Sequence, residues 1–333
     1  MIPFSVLDLA PITSGGDASL SFKNSLDLAR HAEKLGYHRF WLAEHHNIPG
    51  IASAATSVVI GHVAAGTSTI RVGSGGIMLP NHAPLVIAEQ FGTLEALFPG
   101  RIDLGLGRAP GGDRVTAQAL RRGLGSSGDT FPQDVSELQA YFKPAQKGQL
   151  LRAIPGNGQK VPLFLLGSSD FSARLAADMG LPFAFASHFA PEYLETALHL
   201  YRENFIASTQ LEKPHAIVAI NVFAADTDEE ARLLFTSLQQ QFLNLIRGIP
   251  GELQPPVNDM TFRWSTAEEA HVRRMMRYSI VGSPETIRRG VQDLLKETNA
   301  DELIATAQIY DHTARLRSFE IFADVMNSLD LRK

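Results

Sequence analysis

The chain has 333 residues, 44% of them hydrophobic and 20% charged, with a formal net charge of -5. That composition supports a large core and excludes intrinsic disorder, and the negative balance offers no general attraction to nucleic acid or an anionic membrane. The absence of cysteine excludes disulfides, thiolate metal sites, iron–sulfur clusters and a cysteine nucleophile. No apolar run is long enough to span a bilayer, and the start Met1-Ile2-Pro3-Phe4 lacks the basic and apolar regions of a signal peptide, so a cytoplasmic protein is expected.

Short apolar runs alternate with longer segments of helical periodicity. Phe4–Ala10 reads as a strand, and Leu20–Leu35 as a helix stopped by Gly36. Arg39–Ala43 is the next strand, Ile51–Ala65 the next helix and Ile70–Leu79 the third strand. Pro84–Leu97 is a helix entered at proline and closed by Phe98-Pro99-Gly100. Ile102–Gly107 is a strand, Gly111–Gly128 a glycine-rich loop, and Asp134–Phe142 a helix. Then come strand Pro162–Leu166, helix Ser169–Met179, strand Pro182–Ser187, helix Glu192–Phe205 and strand Ala216–Phe223. An eighth unit joins Glu302–Ala307 to His312–Leu329.

Strands that are apolar almost throughout, alternating with helices, predict a parallel sheet buried on both faces. Eight units favour a closed (β/α)8 TIM barrel over an open doubly wound sheet, although the open form stays possible. Residues 231–279 break the rhythm with a polar helix around Gln239-Gln240-Gln241 and a Pro/Asn-rich stretch from Ile249 to Asn258. This is read as an insertion after the seventh strand, near the C-terminal face where barrel enzymes keep their sites. One domain over residues 1–333 is expected.

Several segments place chemistry at that face. Glu44-His45-His46 follows the second strand directly; neighbouring side chains point apart there, so one histidine should face the pocket. A structural pair is the competing reading, and no further cluster at ligand spacing completes a metal site, so no metal is expected. Gly73, Gly75 and Gly76 interrupt the third strand, marking either close approach of a flat ligand or a tight barrel corner. Gly105-Leu106-Gly107-Arg108 ends the fourth strand without the helix a dinucleotide fingerprint needs; its arginine could meet a phosphate, a flavin carbonyl or a substrate. Gly167-Ser168-Ser169-Asp170-Phe171-Ser172 opens a helix, which is a phosphate site by backbone N–H groups and dipole, or ordinary capping by Ser169. Phe4, Met78, Phe185 and Phe189 near strand ends suggest an apolar pocket, or simply core.

Taken in order, Trp41–His46, Val72–Pro80, Gly100–Arg108, Ser168–Ser172, Gly180-Leu181-Pro182 and Val281–Glu285 resemble the bacterial luciferase-like flavin-dependent monooxygenases, and the likeness runs over nearly the whole chain. The resemblance implies a barrel with an insertion after the seventh strand, and FMN (a deazaflavin in one branch) at the C-terminal mouth. It implies His45 and His46 as the catalytic histidines, Gly75-Gly76 as a peptide under the flavin that is often cis, Gly107 and Arg108 at the ring edge, and Ser168, Ser169 and Ser172 at the phosphate. Where luciferase proper carries a reactive cysteine this chain has Gly107, so light emission is not expected. The implied activity is oxygenation of a small, apolar organic substrate by reduced FMN and O2, with the flavin supplied by a separate NAD(P)H:flavin reductase. A homodimer is the assembly common in the family. A deazaflavin- or flavin-dependent reductase of the same fold and a non-catalytic flavin-binding protein are the alternatives.

Overall fold

The computed structural model describes residues 2–109, 114–120 and 130–329. In chain order it contains β1 (Phe4–Asp8), α1 (Ala18–Lys34), β2 (Arg39–Leu42), α2 (Thr56–Ala65), β3 (Arg71–Met78), α3 (Pro84–Leu97), β4 (Ile102–Gly107), α4 (Arg114–Leu120) and α5 (Phe131–Phe142). It continues with β5 (Leu163–Gly167), α6 (Asp170–Met179), β6 (Phe183–Phe185), α7 (Leu194–Glu203), β7 (Ala216–Ala224), α8 (Asp228–Ile246), α9 (Thr266–Met275), β8 (Ser279–Gly282), α10 (Pro284–Thr298), β9 (Glu302–Thr306) and α11 (His312–Ser328).

Every strand pairing is parallel, and β6 pairs β7 while β7 pairs β9 and β9 pairs β1. The ring therefore closes through β1 to β7 and β9, giving the eight-stranded barrel that the alternation predicts. β8 lies outside it, paired only with the far end of β7 (Asn221–Ala224). Strands are buried along their length because helices cover the outside and side chains fill the inside.

Two local expectations are corrected. The helix placed from Ile51 begins at Thr56. Ile51 instead bridges Pro11, and the Ser53 hydroxyl donates to the Ala43 carbonyl at 2.5 Å, so tertiary partners hold residues 51–55 out of the helix. Within the stretch expected to be loop, Arg114–Leu120 is helical; the rest of Gly111–Gly128 lies outside the described residues. Residues 231–279 comprise most of α8, a connection over 247–265, all of α9, a short link and the first residue of β8. A helix the periodicity carries but the alternation passed over, α10, buries Ile287, Val291, Leu294 and Thr298 on one stripe.

The barrel interior has a polar lower part and an apolar upper part. Low in the barrel, Arg39 lies between Asp103 (2.7 Å) and Glu302 (2.8 Å), with Arg71 on the other Asp103 oxygen and Ser5 and His215 on Glu302. Burial raises the Glu302 carboxyl, but hydrogen bonding from His215 and the charge and hydrogen bond of Arg39 outweigh it and hold the group at about 2. Leu7, Trp41, Phe164, Ile217 and Ile304 form the apolar cluster. Trp41 packs edge-on to Phe164 (4.9 Å) and donates its indole N–H to Asp103. This filled lower half leaves open space only towards the C-terminal mouth.

Candidate active site

A cavity of about 200 Å³ opens above that layer. Its floor and walls come from all eight barrel strands and the residues that follow them: Leu7 and Leu9, Trp41 and Ala43, Gly75 and Met78, Gly107, Leu166, Ala184, Ala219 and Ile304. Glycines make room where the strands crowd. A Cβ on Gly75 would stand 2.7 Å from the Leu7 side chain, and one on Gly105 would stand 2.2 Å from the Ser74 carbonyl oxygen. The Gly75–Gly76 peptide is cis.

Of the residues singled out above, His45, Gly75, Gly107, Arg108, Ser168, Ser169 and Ser172 all line this one cavity. They come from four separate stretches of chain. Gly76 lies just behind it, its carbonyl accepting the Glu44 N–H at 3.3 Å. Phe185, Phe189 and Met78 also line the cavity, whereas Phe4 packs at the opposite end, edge-on to Tyr37 and Phe322.

His46 is turned elsewhere. Its Nε2 meets Glu44 Oε1 at 2.8 Å, and His82, just past the turn Leu79–Asn81, meets the same carboxylate at 2.9 and 3.0 Å. The Met78 N–H and the Asn81 amide complete the set. Burial raises the Glu44 carboxyl, but the His82 and His46 contacts and the Met78 N–H outweigh it, and the group stays below its usual range. Glu44, His46 and His82 offer ligand atoms within 4.8 Å of one another, a set able to take a metal ion. As folded, each imidazole already spends its Nε2–H on the carboxylate, which makes the cluster a hydrogen-bonded hub that anchors the segment carrying His45. Sequence spacing did not reveal His82, because β2 and β3 are neighbours in space and not in sequence.

At the other end of the cavity, Ser169 occupies the N-cap position of α6 with extended backbone, yet its hydroxyl makes no capping hydrogen bond. The first N–H groups of α6 are therefore left without a side-chain cap, beside Ser168, Ser172 and Arg108 on the cavity wall. Arg108 is stacked on the Phe171 ring, with its guanidinium carbon 4.1 Å from the ring centroid. Uncapped N–H groups, hydroxyls and a guanidinium at a helix N-terminus are hydrogen-bond donors of the kind that could hold an anionic group such as a phosphate.

One polar lining residue was missed. His188 follows the end of β6 and faces the cavity, a position that the rule for barrel strand ends would have flagged. Burial, and then the charge of His45, push its imidazole down to about 3, so it is neutral.

Residues 2–302 match the family model described as luciferase-like monooxygenase. The chain belongs to the luciferase-like monooxygenase family. It is 58% identical over 328 residues to an Escherichia coli K12 protein named luciferase-like monooxygenase, covering 98% of both chains. The crystal structure of apo-MsnO8 superposes with a TM-score of 0.88 at 33% identity, over 99% of each chain. The fold is also that of the oxygenating constituent of 3,6-diketocamphane monooxygenase from Pseudomonas putida, solved in complex with FMN (TM-score 0.74, 19% identity, 100% of this chain and 99% of that one). Among the described residues no helix is long and apolar enough to cross a membrane.

Proposed function

We propose that this protein is an FMN-dependent monooxygenase that uses reduced flavin and O2 on a small, largely apolar organic substrate. The observation that carries the reading is the convergence, in one cavity, of a phosphate cradle at α6, a floor stripped of side chains at Gly75 and Gly107, and His45. The cradle fits the phosphate of FMN, and the glycine floor admits a flat ring against backbone. Reduced FMN, when bound, supplies the electrons that activate oxygen. Ser168, Ser169, Ser172 and the α6 N–H groups would hold the phosphate, and Arg108 would neutralise it. Trp41, Leu166 and Ile304 keep bulk water from the reacting end. His45 would hold or deliver a proton at its imidazole nitrogen, a task that imidazole side chains commonly perform.

The reduced flavin is taken to come from a separate NAD(P)H:flavin reductase. A homodimer is favoured by the outer side of α2, where Val58 is 70% exposed among the small residues Gly61 and Ala65. Cytoplasmic residence suits a cysteine-free chain.

Fluorescence titration with FMN, followed by oxygen uptake with a flavin reductase and NAD(P)H, tests the reading. Submicromolar to micromolar FMN binding and flavin oxidation beyond the free-flavin background are expected. Replacement of His45 by alanine should lower turnover by on the order of 10²-fold with FMN affinity kept; unchanged turnover removes His45 from the chemistry. Binding of a deazaflavin with no oxygen uptake would favour the reductase alternative.

A further inference from the structure

His188 has a role that the phosphate cradle and His45 do not cover. Asn221 on β7 donates its side-chain N–H to the His188 carbonyl at 2.6 Å, and the neighbouring Ser187 hydroxyl donates to the Ala219 carbonyl, also at 2.6 Å. Phe189 meets the imidazole edge-on at 4.8 Å and 86°. The ring is thus fixed from its backbone and from one flank, and presented to the cavity.

Its two nitrogens differ. Nδ1 is sealed from solvent and has no hydrogen-bond partner, while the residue as a whole keeps partial access. A neutral imidazole carries one proton. A proton on Nδ1 would leave an N–H donor buried and unmet, the costlier arrangement, so the proton belongs on Nε2. His188 is then a neutral donor in a cavity that it shares with His45 and with the apolar Leu9, Ala43, Phe185, Ala186 and Phe189. Arg108, in the same cavity, is stacked on Phe171.

We propose that His188 is a specificity-determining residue, which donates from Nε2 to the carbonyl oxygen of an uncharged ketone substrate whose remainder lies on the apolar wall. For its catalytic meaning this rests on the flavin-monooxygenase reading above. A donor selects an acceptor, and a neutral one adds no attraction of its own charge for a carboxylate over a carbonyl. A substrate that lacks the oxygen leaves Nε2–H without a partner when it displaces water from the wall.

The test compares 2-hexanone with hexane, whose dissociation constants are measured by ligand-observed NMR on the protein with and without FMN. His188→Phe should weaken the ketone about tenfold relative to hexane, as expected for one net hydrogen bond lost, with the FMN dissociation constant changed less than twofold. His188→Gln, which keeps an N–H donor, should recover part of the difference. A ratio of the two dissociation constants unmoved in His188→Phe overturns the proposal. A wild type that binds no FMN sinks the flavin reading separately, and the flavin-free titration still decides what His188 recognises.

Discussion

Replacing Glu44 by glutamine probes the hub beside the catalytic strand end. In the native protein Oε1 accepts from His46 (2.8 Å), Asn81 (3.3 Å) and His82 (2.9 Å), and Oε2 accepts from the Met78 N–H and His82 (both 3.0 Å). Glutamine turns one of these oxygens into an NH2 group. Whichever way the amide is turned, either the Met78 N–H or the His46–Asn81 pair then faces a donor inside a site where the carboxylate is 1% exposed. A buried donor left unmet costs about 1–3 kcal/mol, and the charge-assisted part of the imidazole contacts is lost as well. Relief from burying a charge offsets some of this, leaving a net loss of roughly 2–4 kcal/mol. At roughly 2 °C per kcal/mol for a chain of this size, Tm should fall by about 4–8 °C near neutral pH. The sign of the pH dependence follows from the depressed carboxyl. Its contribution is complete above the ordinary carboxylate range and is lost as pH falls through the lower folded value. The gap in Tm between wild type and variant, read by calorimetry, should therefore narrow as pH drops from about 5 to about 3. An unchanged Tm, or a gap that widens in acid, would refute the account of the hub.

Two glycines of β4 should behave oppositely. Gly105→Ala places a Cβ 2.2 Å from the Ser74 carbonyl oxygen, a backbone atom, and should cost about 3 kcal/mol or more, whereas Gly107→Ala meets only the Met78 thioether at 2.8 Å, which can swing aside, and should stay within about 1 kcal/mol of wild type in denaturant titrations. Arg108→Ala should raise the FMN dissociation constant about 10–100-fold and leave riboflavin affinity nearly unchanged, because riboflavin lacks the phosphate; equal losses for both would move Arg108 away from the cradle. Arg39→Met strands two buried carboxylates and should cost about 3–5 kcal/mol. Glu302, held at about 2, contributes stability above the ordinary carboxylate pKa that is lost as pH falls towards that value, so the stability gap between wild type and this variant, followed by circular dichroism, should narrow in acid.

The barrel was legible because its signal is local. Strands buried on both faces read as continuous apolar runs, such as Ala216–Ala224, and helices such as Pro84–Leu97 carry their own entry proline, so periodicity and punctuation alone place them. Glycines in β3 and β4 and the Gly167–Ser172 turn were visible for the same reason: a bare backbone or a helix start needs specific residues at specific places. What sequence left open was decided by neighbours distant along the chain. Ser53 finds the Ala43 carbonyl and keeps residues 51–55 out of a helix; His82 reaches Glu44 across 38 positions; Ser169 sits at an N-cap and yet leaves its hydroxyl uncommitted. His46 and His45, adjacent in sequence, part company because alternate side chains leave a strand end in opposite directions, one to the hub and one to the cavity. Composition and period thus determined the scaffold, while closure of the ring, β6 onto β7 and β9 onto β1, decided which polar groups share one desolvated space.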